Sequence, residues 1–261
     1  MPGCGKVYLI GAGPGDPDLM TARAIRYLSK ADAIVYDRLV SADILALAPA
    51  SALMVCVGKE PRRHPVPQER INDILVELAG EHATVVRLKG GDPYIFGRGG
   101  EEAIRLVEAG IDFEVVPGIT AAQGLSAATR IPLTHRGLAH GVRYVTGHCK
   151  EGEPLDLDWM SLADPDTTLV VYMGLANLSE ITSRLMAHGL PASTPVLAVE
   201  KATRADERRL IASLDDIEER ARQAGFRSPV TFMIGRVVGL AACFGLEIPA
   251  IKPQDLEAAR A

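Results

Sequence analysis

The segment Thr84-Val85-Val86-Arg87-Leu88-Lys89-Gly90-Gly91-Asp92-Pro93-Tyr94-Ile95-Phe96-Gly97-Arg98-Gly99-Gly100-Glu101-Glu102 decides how this chain folds. Its first five residues are a short run rich in β-branched side chains, which reads as a strand. Gly90, Gly91, Gly97, Gly99 and Gly100 follow directly. So many glycines permit a backbone path closed to other residues and let a ligand approach the main chain. Beyond them Ile104, Leu106 and Val107 supply a short apolar helical stripe before Gly110.

Outward from this unit the same alternation recurs. Val7–Ile10, Ala33–Tyr36, Met54–Val57 and Phe113–Val116 read as strands, most ending in Gly, Asp or Pro where a loop begins. Ile71, Ile74, Leu75 and Leu78 fall at helical spacing and predict a helix that Gly80 ends. Strands alternating with helices predict an α/β domain with a largely parallel sheet. In the second half, Val142–Thr146, Thr168–Met173, Pro195–Val199, Arg209–Ala212 and Val230–Ile234 read as strands. Helices are expected over Asn177–His188, Asp215–Ala224 and Val237–Phe244. The Lys201–Arg208 connection is too short for a helical crossover, so its flanking strands should pair antiparallel within a mixed sheet. The turn pair Pro117-Gly118 marks the expected boundary between a domain over 1–117 and one over 118–250, with 251–261 as a tail.

The composition is that of a globular protein: 261 residues, 48% hydrophobic, 23% charged, net charge −5. That balance argues against a nucleic-acid partner, yet leaves room for an acidic small molecule on a local basic face. Cys4, Cys56, Cys149 and Cys243 form no C-x-x-C pair and read as free thiols of a reducing cytoplasm. The N-terminal residues carry no apolar signal core, so no secretion signal is expected. Val230–Leu246 is interrupted by Arg236 and several glycines, which fits a buried strand and helix and no membrane span.

The first glycine loop, Gly11-Ala12-Gly13-Pro14-Gly15-Asp16-Pro17, places Asp16 where a dinucleotide fingerprint needs its third glycine. Pro14 also removes a backbone donor, so by itself the loop reads as a tight turn. In the second loop Asp92 offers a carboxylate, and Arg98 and Glu101 stand three apart at a helix start. A ligand site and an ordinary helix cap both remain open there. Between Val115 and Lys150 there is no acidic residue, while Arg130, Arg136, Arg143 and Lys150 accompany three histidines. This stretch is either a solvated basic face or a surface suited to several carboxylates, which arginine grips in two-pronged pairs. The histidines lack metal-ligand spacing, so no metal is assigned.

Taken together, VYLIGAGPGDPDLMT (Val7–Thr21), VYDRLV (Val35–Val40), RLKGGDPYIFGRGGEE (Arg87–Glu102), VPGITAA (Val116–Ala122), IPLTHR (Ile131–Arg136) and YVTGH (Tyr144–His148) resemble the uroporphyrinogen-III C-methyltransferases of the tetrapyrrole methylase superfamily. The likeness runs over about residues 5–246. It implies a tetrapyrrole methylase fold of two α/β domains with a cofactor cleft between them, and a homodimer. It implies S-adenosylmethionine as cofactor, with S-adenosylhomocysteine as product. Cofactor contacts are implied at Pro14, Gly90, Gly91, Asp92, Ile95, Thr120, Ala121, Met173, Ala202 and Val230. Asp37 and Lys59 match positions of a proton acceptor and a proton donor. Arg98, Glu101 and Arg136 match residues that hold the tetrapyrrole, Arg98 also standing among the catalytic candidates. The implied reaction methylates uroporphyrinogen III at carbons 2 and 7 to give precorrin-2. Another methyltransferase of the superfamily, or a non-catalytic tetrapyrrole-binding regulator, is the alternative.

Overall fold

A computed structural model describes residues 5–58, 66–148 and 154–245. The chain divides into two compact units at Ala121–Ala122.

The first unit carries strands β1 (Lys6–Gly11), β2 (Ala33–Tyr36), β3 (Leu53–Cys56), β4 (Thr84–Lys89) and β5 (Phe113–Val116). They alternate with helices α1 (Ala22–Leu28), α2 (Ala42–Leu45), α3 (Gln68–Glu81) and α4 (Gly99–Glu108). All strand pairs are parallel, in the order β3-β2-β4-β1-β5. Both faces of the sheet are covered, as an all-parallel sheet requires. Val7, Leu9, Ala33, Val35 and Val85 pack with Ile71, Leu75, Ala103 and Leu106, which come from α3 and α4. Ile10, Ile34, Val86 and Leu88 pack on the opposite face with Ala24, Leu28 and Ile44, from α1 and α2.

The helix α3 follows its apolar stripe, with Ile71, Leu75 and Leu78 buried, and runs through Gly80 to Glu81. In α4 the expected stripe is only partly right. Leu106 is buried, but Ile104 and Val107 are 63% and 65% exposed. The inward positions are taken by Gly99, Glu102, Ala103 and Leu106. A buried glutamate displaces the register that hydrophobicity alone would choose, because its carboxylate meets two cations on the sheet.

The second unit holds α5 (Ala121–Thr129), β6 (Gly141–Thr146), α6 (Trp159–Leu162), β7 (Thr167–Tyr172), α7 (Leu178–Ala187), β8 (Pro195–Glu200), β9 (Arg208–Ser213), α8 (Ile217–Gln223) and β10 (Val230–Ile234). Its sheet runs β6-β7-β10-β8-β9. The pair β6–β7 is parallel, whereas β10 lies antiparallel to both β7 and β8. The β8–β9 hairpin around Lys201–Arg208 is antiparallel, as its length demands. The helix expected over Val237–Phe244 is present as a 3-10 helix, Arg236–Phe244. Gly239 in its middle weakens an α-helical ladder, and Val238 N–H donates to the Gly235 carbonyl three residues back. The expected tail lies outside the described residues. Among those residues no helix is long and apolar enough to cross a membrane.

Candidate active site

In an open parallel sheet, ligands bind beyond the carboxyl ends of the strands, where neighbouring strands send their connections in opposite directions. Strands β1 and β4 are such neighbours: the chain leaves β1 toward β2 and leaves β4 toward β5. Both glycine loops start at this point. They are joined by a reciprocal pair of hydrogen bonds, Gly13 N–H to the Gly91 carbonyl (3.1 Å) and Gly91 N–H to the Gly13 carbonyl (2.7 Å). Gly13 and Gly91 both adopt left-handed backbone, φ 77° and 70°, which glycine enters without strain.

The carboxylate of Asp92 locks the junction. One oxygen accepts from Tyr94 N–H (2.8 Å) and the other from Gly118 N–H (3.0 Å), tying the second loop to the segment after β5. Asp92 thus organises backbone first, and any ligand shares oxygens already bonded. Thr120 is buried and Ala121 half-buried beside the loop. A Cβ placed on Gly91 would find only Thr120 Cα at 3.9 Å and Ala121 N at 4.0 Å. Main chain therefore lines an open face here, which fits a ligand read through backbone groups. Pro14 is half-buried in the first loop, and Ile95 is exposed in the second. Gly90 has no such room, since a Cβ there would stand 2.6 Å from Leu39 Cβ. Its lack of a side chain lets the turn after β2 close over the loop after β4.

Arg98, at the N-terminal cap of α4, holds a left-handed φ of 57°. Its Nε and Nη2 each donate to Glu101 at 2.7 Å, a two-pronged pair that is half exposed. This pairing keeps the Glu101 carboxyl below its usual range. A non-glycine residue in this conformation costs on the order of 1 kcal/mol and persists where the surroundings require it. Phe96, with φ 52°, is a second such residue in the same loop.

Asp37 ends β2. Its Oδ1 accepts from Leu39 N–H (2.9 Å) and its Oδ2 faces Arg87 Nη2 at 3.7 Å. Arg87 and Lys89 project from β4 onto the face covered by α3 and α4, and both are 3% exposed. Glu102, wholly buried, accepts from Arg87 Nε (3.0 Å) and Lys89 Nζ (2.7 Å) through one oxygen. Burial, with Arg87 beside it, pushes the Lys89 ammonium below its usual range. Sequence reasoning passed over Arg87, Lys89 and Glu102. The signal was two cations at period-two spacing in an otherwise apolar strand. Lys59 and Lys150 lie outside the described residues.

In the second unit Met173 follows β7 with φ 54° and is 49% exposed. Ala202 is buried between Lys201 and Thr203, both left-handed, and Val230 is buried at the start of β10. Arg136 is exposed in the turn closed by the His135–Ala139 bridge. The basic stretch is not uniform. Arg130 is exposed, but Arg143 is committed to the carbonyl and hydroxyl of Ser161.

Two glycine loops locked together at the switch point of a parallel sheet define an α/β protein of the class whose small ligands bind at such points. The chain belongs to the Tetrapyrrole (Corrin/Porphyrin) Methylases, whose family model matches residues 6–218. It is 53% identical, over 97% of its length and 88% of the relative's, to a uroporphyrinogen-III C-methyltransferase of Paracoccus denitrificans. It is also 53% identical to the siroheme synthase of Methylococcus capsulatus, over 92% of this chain but only half the length of that protein. Among solved structures, the Thermus thermophilus uroporphyrin-III C-methyl transferase complexed with S-adenyl homocysteine matches with TM-score 0.77 and 43% identity. That match covers 90% of this chain and 93% of the other.

Proposed function

We propose that this chain is an S-adenosylmethionine-dependent C-methyltransferase that methylates uroporphyrinogen III at carbons 2 and 7, giving precorrin-2. The observation that carries the reading is the open backbone face at Gly91, Thr120 and Ala121, set at the switch point of a chain so close to a uroporphyrinogen-III C-methyltransferase. Incubation with uroporphyrinogen III and S-adenosylmethionine should yield a dimethylated product that oxidises to a coloured isobacteriochlorin. Absence of any methylated tetrapyrrole overturns the proposal.

In this reading Pro14, Gly90, Gly91, Asp92, Ile95, Thr120 and Ala121 hold the cofactor, with further contacts from Met173, Ala202 and Val230. The non-glycine left-handed residues at Met173 and on either side of Ala202 support the latter contacts, since such backbone clusters at functional sites. When bound, the cofactor supplies a methyl group already activated on a sulfonium. What the protein adds is positioning, water exclusion and proton handling. Asp37, with its carboxylate anchored by Leu39 N–H, accepts the proton released from the methylated ring, and Lys59 is the proposed proton donor. Arg98, Glu101 and Arg136 orient the polycarboxylate substrate. A homodimer in the cytoplasm completes the proposal.

Two variants examine these assignments. Gly91→Val places a branched side chain at φ 70° and on the open face. It should weaken S-adenosylhomocysteine binding, measured by calorimetry, by at least about tenfold, combining backbone strain with a blocked surface. Unchanged affinity would remove Gly91 from the cofactor site. Arg98→Lys keeps the charge but loses the planar fork that grips Glu101 in two places. Turnover of uroporphyrinogen III should fall while cofactor affinity holds. Wild-type turnover in that variant would sink the substrate-orienting role.

A further inference from the structure

We propose that Arg87 is a positioning residue for the methylation chemistry: its guanidinium, locked by Glu102, sets the place and charge environment of the Asp37 carboxylate. The inference rests on the reading of Asp37 as proton acceptor given above.

Each edge of the guanidinium has its own task. Nε donates to Glu102 Oε1 at 3.0 Å. Nη1 donates to the carbonyls of Leu88 (3.2 Å) and Val35 (3.4 Å), so the plane is tied to β4 and to its neighbour β2. What remains is Nη2, which faces Asp37 Oδ2 at 3.7 Å. That distance exceeds a hydrogen bond, so Arg87 acts on Asp37 through its charge and leaves the oxygen open to another partner. Glu102 is fixed in turn by Lys89 Nζ at 2.7 Å and Gln68 Nε2 at 3.3 Å, all on the one oxygen.

The energetics argue against a purely stabilising role. Taking ions out of water costs about as much as their mutual attraction returns, and a well-packed apolar cluster generally serves a core as well or better. Here Val7, Leu9, Val35 and Val85 already build such a cluster on the same sheet face. The four charged side chains sum to zero, two cations against two carboxylates, so the group is internally balanced. Exposure shows where it points: the side chains of Arg87, Lys89 and Glu102 are 4%, 4% and 0% exposed, and that of Asp37 is 25%. Asp37 is the one charged member that reaches solvent. The buried members form a rigid support whose outer end is the carboxylate beside the Gly90–Leu39 contact.

A double-mutant cycle tests this. Arg87→Lys retains one positive charge but cannot reach Glu102, the two carbonyls and Asp37 together. Its kcat for uroporphyrinogen III should fall about tenfold or more, the scale expected for a displaced reacting group, while Kd for S-adenosylhomocysteine stays within about threefold. Asp37→Asn should lower kcat by about a hundredfold or more. The double variant should be no slower than Asp37→Asn alone, because Arg87 then has nothing to position. If the two losses multiply, Arg87 works independently of Asp37 and the inference fails while the reading of Asp37 stands. If Asp37→Asn alone turns over at the wild-type rate, that reading fails and carries the inference with it. Should Arg87→Lys not fold, Arg87→Gln takes its place in the cycle, since it leaves Lys89 and Glu102 as a balanced pair.

Discussion

Glu102→Gln is expected to destabilise the protein by about 3–5 kcal/mol, the cost of removing one partner from a buried ionic network. The carboxylate is wholly buried and one of its oxygens serves Arg87, Lys89 and Gln68 at once. An amide of the same shape lacks the charge, and with its oxygen turned to those donors its NH2 group is buried where the second carboxylate oxygen has no hydrogen-bond partner. Arg87 and Lys89 would then share Asp37 alone as counter-ion. Lys89 gives the loss a definite pH dependence. The groups around it are Arg87 on β4, Glu102 on α4 and Asp37 at the end of β2. Burial and Arg87 hold its folded-state value below the ordinary 10.5, and Glu102 partly restores it. Between the lowered value and 10.5 the unfolded chain binds the proton and the folded chain does not, so stability rises with pH across that window. Without Glu102 the folded value drops further and the window opens at lower pH. The deficit of Glu102→Gln should therefore be largest near neutral pH, where the wild-type carboxylate is charged and Lys89 protonated, and shrink toward alkaline pH. Urea unfolding across a pH series measures it. A deficit below about 1 kcal/mol, or one that ignores pH, contradicts the assignment of Glu102 as the anion of this network.

Gly118→Ala is expected to cost about 3 kcal/mol, at the upper end for an overpacked core, and to abolish S-adenosylhomocysteine binding. A Cβ at Gly118 would stand 2.2 Å from the Gly91 carbonyl oxygen and 2.8 Å from Gly11 Cα. Those are main-chain atoms of β1 and of the second glycine loop, so no rotamer relieves the clash. Gly91 can retreat only by giving up its paired bonds with Gly13, and Gly118 only by leaving Asp92. Gly11→Ala meets the same contact from the other side, 2.5 Å from Gly118 N. Gly100 is the contrast. It lies in α4 with no atom within 4 Å of a would-be Cβ, and Gly100→Ala should be neutral or stabilise by up to about 1 kcal/mol. Thermal melts and calorimetric titration of the three variants separate the cases. Equal behaviour of Gly118→Ala and Gly100→Ala would mean the close approach of the three strand ends carries no cost.

The relation between sequence and structure is uneven in an instructive way. Each strand of both sheets is legible in runs of β-branched and aliphatic residues, and Gln68–Glu81 in its i, i+3, i+4, i+7 stripe. Those signals are local, set by which residues tolerate which backbone and face. The antiparallel β8–β9 pair is legible too, because a connection as short as Lys201–Glu207 admits no crossover. Among site residues, the glycine loops and the Arg98–Glu101 spacing stand out by composition and period. Arg87 and Lys89 are marked only by their period-two spacing in an apolar strand, and Glu102 sits inside the same motif with no local mark of burial. Hydrophobicity assigned Ile104 and Val107 to the face of α4 that turns outward.

What the sequence by itself determined is the set of strands, the helices α3, α4, α7 and α8, the two-sheet α/β class and the motifs that ally this chain with the tetrapyrrole methylases. Tertiary structure decided the order of the strands, with β10 inserted antiparallel between β7 and β8 and β1 between β4 and β5. It decided that Gly11, Gly91 and Gly118 meet backbone to backbone, and that Glu102 turns inward to Arg87 and Lys89. The physical reason is one of range. Propensity and periodicity act between residues a few positions apart, whereas close backbone approach and burial of charge depend on what the rest of the chain brings alongside. A carboxylate belongs in a core only when its counter-ions arrive there with it.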